Sequence, residues 1–157
     1  MDDYKRGGHS KYSLSVHLIF ETKYRKILFE DTKMKDDIKQ YLFDVSNKCG
    51  YTILEMEADK DHVHILLSYR PDVKVSTIAK ELKQYSTYQM WLHNPDILQT
   101  VYWKNKSLWS DGYFACSIGQ VSQDIIEKYM RTRVSYMTAY PHTQGYVVLP
   151  LIFYKIP

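Results

Sequence analysis

The chain has few cysteines and no long apolar run. Its 157 residues include two cysteines. Cys49 and Cys116 form neither a CxxC pair nor a disulfide framework, which favours a reducing compartment. No apolar run approaches the roughly 20 residues of a membrane span, and the polar stretch MDDYKRGGHSK at the start lacks the hydrophobic region of a signal peptide. We therefore expect a cytoplasmic protein without a membrane partner.

An excess of charge of one sign is also lacking. The formal net charge is +3, so a surface for nucleic acid would require local clustering of Lys and Arg. The length suits one domain with a hydrophobic core. We expect a single domain over residues 1–157, with its core at about residues 11–137 and a tail at residues 138–157 whose role the sequence does not indicate.

The stretch DKDHVHILLSY, residues 59–69, carries the clearest chemical signal. It is typical of a buried strand, on which successive side chains point to opposite faces. His62 and His64 therefore share one face, and the other face is apolar. Two imidazoles at this spacing suit one metal ion or one phosphate. The pattern alone also fits two histidines with a purely structural role.

Periodicity and turn residues predict six core elements in the order strand, helix, strand, strand, helix, strand. They are the strand 11–20, the helix 31–49 between Asp31 and Gly50, the strands 51–56 and 59–69, the helix 75–91 and the strand 112–119, with a loop at 96–111. This order predicts a ferredoxin-like α+β fold with both helices on one face of an antiparallel sheet. Its first and third strands are central neighbours, so His17 should lie beside the histidine pair.

A third helix is predicted after the fourth strand. Ser122 suits an N-cap, and apolar residues recur at helical spacing as far as Met137. Tyr129 lies on this apolar stripe, where a tyrosine usually packs.

Four segments together resemble a known family: KYSLSVHLIFETKYRKIL, DKDHVHILL, WSDGYFACSIG and the following SQDIIEKYM. In order and spacing they are similar to the single-tyrosine HUH transposases of small bacterial and archaeal insertion sequences, the IS200-like transposases. The likeness extends from about residue 11 to residue 130. It implies an enzyme that cuts and joins single-stranded DNA, with an additional C-terminal helix that carries the catalytic tyrosine.

The resemblance also implies roles for individual residues. His62 and His64 would hold Mg²⁺ or Mn²⁺, which polarises the scissile phosphate. Tyr129 would be the nucleophile that forms a 5′-phosphotyrosine intermediate. Family members are homodimers that act on hairpins at element ends, and the partner subunit can supply the tyrosine helix.

One position departs from the family. Its members carry a glutamine metal ligand four residues after the tyrosine, where this chain has Arg133, and a guanidinium cannot ligate a cation. Two interpretations stay open. Water or a nearby acid replaces the glutamine while Arg133 contacts phosphate, or the chain is an inactive copy that binds metal weakly.

The remaining assignments are individually less specific. His17 is expected to orient a ligand or pack in the core, and Tyr136 is a rival nucleophile. Asp61 could orient an imidazole, but strand alternation would point it away from the pair. Candidates for phosphate contact are Lys23, Arg25, Lys26, Lys80, Lys83, Lys104, Lys106 and Arg133, and candidates for base stacking are Trp103 and Trp109.

Two other functions remain compatible with the sequence. One is a non-catalytic module that binds single-stranded nucleic acid and uses the histidines structurally. The other is a metal-dependent phosphodiesterase that activates water and forms no covalent intermediate.

Overall fold

The computed structural model describes residues 4–118. The strands are β1 Lys5–Gly7, β2 Ser10–Tyr12, β3 Ser15–Glu21, β4 Thr52–Asp59, β5 His62–Ser68 and β6 Phe114–Ile118, and the helices are α1 Thr32–Cys49, α2 Val75–His93 and α3 Pro95–Val101. A short 3-10 turn spans Lys23–Arg25.

Strands β3 to β6 form one antiparallel sheet in the order β4-β5-β3-β6. With α1 between β3 and β4, and α2 between β5 and β6, the chain has the predicted ferredoxin-like order. The central neighbours are β3 and β5, which pair from Ser15 opposite Ser68 to Glu21 opposite His62. The predicted fold class and the central strand pair are both confirmed.

The two faces of the sheet carry different side chains. One face of β3 and β5 packs in a single hydrophobic core with the buried residues of α1 and α2. Its members on the two strands are Val16, Leu18, Phe20, Val63, Ile65 and Leu67. Because side chains alternate along a strand, His17, His62 and His64 lie on the opposite face.

Helix α1 begins and ends as its sequence predicts. The Asp31 carboxylate accepts a hydrogen bond of 2.9 Å from the backbone N–H of Met34, which caps the first turn. Gly50 ends the helix in the left-handed conformation with φ 81°, which a residue without Cβ adopts at little cost.

Three parts of the chain differ from the prediction. The polar lead and the first two residues of the predicted strand 11–20 form a small β1–β2 hairpin, which the sequence does not signal because its side chains are mostly exposed and show no apolar alternation. The strand of the main sheet therefore begins at Ser15. β4 extends to Asp59. Most of α3, which begins at Pro95, lies in the predicted loop. Its seven residues cover only about two turns, too few to show a clear apolar repeat, but proline suits the first helical position.

The predicted third helix, with Tyr129, Arg133 and Tyr136, and the tail at 138–157 lie outside the described residues. Within residues 4–118, no helix combines the length and the apolar character that membrane crossing requires.

Candidate active site

The histidine pair lies at the start of the central strand β5. His62 is 4% exposed and His64 is fully buried. Their ring centroids are 4.9 Å apart and the rings are nearly perpendicular, at 72°. The strand thus holds two imidazoles side by side, as the one-residue spacing predicts.

The ring of His62 is oriented by the residue that precedes it. The Oδ1 atom of Asp61 lies 2.9 Å from Nδ1 of His62. This corrects the expectation that Asp61 points away from the pair, because Asp61 belongs to the turn before β5 and does not follow strand alternation. A carboxylate at Nδ1 favours the tautomer in which Nδ1 carries the proton and Nε2 carries a lone pair.

Asp61 is itself held by an arginine. The Nε atom of Arg25 donates to Oδ2 of Asp61 at 2.6 Å, and Nη1 of Arg25 lies 3.4 Å from the Glu21 carboxylate. Burial alone would raise the pKa of Asp61, but the hydrogen bonds from His62 and Arg25 and the positive charge of Arg25 outweigh it and hold the pKa below its ordinary value. Asp61 is therefore a carboxylate at neutral pH.

The ring of His64 is oriented from the neighbouring strand. Nε2 of His17 lies 3.1 Å from Nδ1 of His64, and the two rings are stacked with centroids 5.3 Å apart and an interplanar angle of 11°. His17 is fully buried. The expectation that His17 lies beside the pair is confirmed.

Because Asp61 occupies Nδ1 of His62, Nε2 is the nitrogen that this imidazole can offer to a cation. Nε2 of His62 is buried and has no hydrogen-bond partner within residues 4–118. A neutral imidazole with a bare Nε2 and a carboxylate on Nδ1 is the usual form of a metal-binding histidine. The pair therefore fits a divalent cation.

A complete ligand set is not present in the part of the chain that the structure describes. Residues 4–118 contain no group of three or more His, Cys, Asp or Glu side chains arranged to hold a metal ion. Residues 4–118 would contribute two imidazoles to a metal site, and the other ligands would come from water, DNA or the rest of the chain.

The basic residues proposed for phosphate contact occupy different environments. Lys26, Lys80, Lys104 and Lys106 are exposed, whereas Lys23 and Arg25 are partly buried. Lys83, a further candidate for phosphate contact, is also partly buried. Its ammonium group donates to the carbonyls of Ser110 and Gly112 at 2.7 Å each, and burial lowers its pKa. The loop before β6 therefore covers part of the Lys83 side chain.

The two candidate stacking residues also differ. Trp103 is 76% exposed, so its ring can meet a base. Trp109 is buried against Phe20 and Phe29, and its indole N–H donates to the Ser86 hydroxyl. The stacking interpretation of Trp109 is therefore wrong.

A groove runs between α2 and the loop at residues 106–113. Its volume is about 890 Å³, and its lining includes the basic side chains of Lys23, Lys80 and Lys106 together with Tyr88 and Tyr113. Lys23 follows Glu21 by two residues, and Glu21 is the β3 residue that pairs with His62 of β5. The groove thus reaches the end of the sheet that carries the histidine pair.

Comparison with known proteins gives independent evidence of the family to which the chain is similar. A family model described as "Transposase IS200 like" matches residues 10–133. The ISDra2 transposase TnpA of Deinococcus radiodurans is 30% identical over 129 residues, which cover 82% of this chain and 90% of the relative. The transposase of insertion sequence element IS200 of Salmonella typhimurium is 29% identical over 120 residues, which cover 76% of this chain and 77% of the relative.

Two solved structures share the architecture. A candidate transposase of Deinococcus radiodurans R1 superposes with a TM-score of 0.67 at 29% identity, over 82% of this chain and 96% of the solved one. A REP-associated tyrosine transposase, solved with a bound REP hairpin, gives a TM-score of 0.51 at 16% identity, over 93% of this chain and 76% of the solved one. The second likeness concerns the fold alone.

Proposed function

The chain belongs to the family of IS200-like transposases, and from this premise we propose that it cleaves and rejoins single-stranded DNA at insertion-sequence ends through a 5′-phosphotyrosine intermediate. The observation that carries the proposal is the histidine pair, in which Asp61 and His17 contact the Nδ1 atoms and Nε2 of His62 is buried without a hydrogen-bond partner among residues 4–118. A pair that served packing alone would not require a carboxylate that leaves one imidazole nitrogen bare.

His62 and His64 are proposed to hold Mg²⁺ or Mn²⁺ through Nε2. A bound divalent cation would polarise the scissile phosphate and stabilise the charge that develops on its oxygens. The strand fixes both rings before DNA binds, so the site needs little rearrangement. Asp61 and His17 keep each ring in the required orientation.

Tyr129 is proposed as the nucleophile. Its phenol would lose its proton and its oxygen would bond to phosphorus, the bond from phosphorus to the 3′ oxygen would break, and that oxygen would take up a proton to give a free 3′-hydroxyl. The covalent link keeps the bond energy, so rejoining requires no nucleotide cofactor. We further propose that the chain acts as a homodimer.

The DNA partner is proposed to be a single strand with a hairpin near the cleavage site. One solved tyrosine transposase of similar fold is bound to a REP hairpin. In this chain, Lys26, Lys80 and Arg133 are proposed phosphate contacts, and the exposed ring of Trp103 is a proposed stacking surface.

A second candidate function follows from Arg133. A guanidinium stands where the family has a metal ligand, and it cannot coordinate a cation. An inactive copy that still binds single-stranded DNA is the alternative that this residue favours.

A denaturing gel separates these functions. Labelled single-stranded DNA from the ends that flank the coding sequence is incubated with the protein and Mn²⁺ or Mg²⁺. The proposal predicts a covalent adduct that Tyr129→Phe abolishes and the control Tyr136→Phe retains. Loss of cleavage without loss of binding is predicted for the double variant His62→Ala, His64→Ala. Binding without an adduct would identify a binding module, and a released phosphate end without an adduct would identify a phosphodiesterase.

A further inference from the structure

The turn between β3 and α1 has an unusual backbone. Tyr24 and Arg25 both lie in the left-handed region, with φ of 60° and 54°. In the described residues, the other positive φ belongs to Gly50. Two consecutive left-handed residues with side chains are unfavourable for an L-polypeptide and persist only where surrounding contacts impose them.

Hydrogen bonds fix this turn from two sides. The Thr22 N–H donates to the Asp61 carbonyl at 2.8 Å, and the Thr22 hydroxyl donates to the Lys26 carbonyl at 2.7 Å. On the other side, the Lys23 N–H donates to the Leu108 carbonyl at 2.8 Å, and the Tyr102 hydroxyl donates to the Lys23 carbonyl at 2.9 Å. The turn is therefore held against the residue that orients His62.

The left-handed turn directs the Arg25 side chain to Asp61. Nε of Arg25 lies 2.6 Å from Oδ2 of Asp61, and Oδ1 of the same carboxylate lies 2.9 Å from Nδ1 of His62. The Arg25 side chain is 38% exposed, and ion pairs at that exposure contribute little to stability. The contacts thus do more to fix the direction of a carboxylate than to stabilise the fold.

We propose that Arg25, presented by the strained turn at residues 22–26, is a positioning residue that acts through Asp61 to set the tautomer and orientation of His62. By occupying Oδ2, the guanidinium leaves Oδ1 directed at Nδ1 of His62, and Nε2 keeps its lone pair. The binding of a cation by this lone pair rests on the proposed function. The competing role for Arg25 is a direct contact with DNA phosphate. That role alone predicts no change in the His62 tautomer when DNA is absent.

Two glycine variants test the proposal. Glycine adopts a left-handed φ readily, so Arg25→Gly relieves strain and removes the guanidinium, whereas the matched control Tyr24→Gly relieves strain and keeps it. Tyr24 is 75% exposed, so its ring has little packing to lose. Imidazole ¹⁵N NMR of the full chain, recorded at pH 8 without metal or DNA, reports the His62 tautomer directly.

We expect the wild type and Tyr24→Gly to show the tautomer with the proton on Nδ1, and Arg25→Gly to show a mixture. A wild type without that tautomer, or two variants that behave alike, would overturn the proposal. Mn²⁺ calorimetry gives a second readout, with an expected loss of affinity of about 10-fold for Arg25→Gly and no loss for Tyr24→Gly. If the wild type binds no Mn²⁺, the proposed metal chemistry fails, but the NMR result still decides the role of Arg25.

Discussion

Nε2 of His17 lies 3.1 Å from Nδ1 of His64, although 47 residues separate them in the chain. The contact exists because β3 and β5 are central neighbours and place both rings on the sheet face away from the helices. It holds the Nδ1 atom of His64 in place, as the Asp61 carboxylate holds the Nδ1 atom of His62. The histidine pair is therefore held from two directions, by a strand on one side and by a turn on the other.

The substitution His17→Phe should weaken metal binding without removing the stacked ring. Phenylalanine keeps the planar contact with His64 but cannot hydrogen-bond, so the orientation of His64 is no longer fixed. We expect the Kd for Mn²⁺ to rise about 10-fold in calorimetric titrations of the DNA-free protein. His9→Ala, which removes an exposed imidazole from the β1–β2 turn, is the matched control. Equal affinities in the two variants would contradict the role assigned to His17.

Lys83→Met should destabilise the protein. The ammonium group of Lys83 supplies donors to the carbonyls of the loop that leads into β6, and methionine fills similar space without a donor. Unpaired, partly buried carbonyls cost about 1–3 kcal/mol, which a urea titration measures. The control Lys80→Met removes an exposed ammonium one helical turn away and should change the unfolding free energy by less than about 0.5 kcal/mol. A loss of the same size in both variants would show that the loop contacts are unimportant.

The stability of the protein should fall in alkali partly through Tyr102. Burial raises the pKa of Tyr102 to about 12, although a hydrogen bond with Thr22 lowers it in part. The unfolded chain ionises this phenol near pH 10, so the folded state holds the extra proton and stability is lost as pH rises from about 10 to about 12.

Tyr102→Phe removes this contribution. At neutral pH the variant should be less stable by about 1 kcal/mol, because a hydrogen bond to the Lys23 carbonyl is lost. Between pH 9 and pH 11 its unfolding free energy should then decline less steeply than that of the wild type. Urea unfolding at both values measures the difference, and Tyr88→Phe, at a 64% exposed residue, serves as control. Parallel declines in all three proteins would refute the assignment.

Much of the fold follows from local patterns in the sequence. Asp31 and Gly50 mark the ends of α1, and alternation in β3 and β5 separates the core face from the histidine face. Because the order of elements restricts the topology, the position of His17 beside the histidine pair could also be predicted from the sequence.

The missed features depend on positions outside regular periodicity. Asp61 lies in a turn, where strand alternation does not apply. Arg25 reaches it because the backbone at Tyr24 and Arg25 is left-handed, a conformation that tyrosine and arginine do not indicate in a sequence. Lys83 lies at a polar position of α2 that becomes covered only when the loop at 110–112 folds over it. In each case the environment is set by contacts between distant segments, which sequence patterns do not report.

Identifying the residue that is covalently linked to DNA after cleavage tests the central claim most directly. Trypsin cleaves after Lys128 and Arg131, so Tyr129 and Tyr136 fall on different peptides of the trapped adduct. Mass spectrometry should find a nucleotide 5′ phosphate on the Tyr129 peptide, formed only when Mn²⁺ or Mg²⁺ is present. A nucleotide on the Tyr136 peptide, or no covalent nucleotide with either cation, would contradict the account.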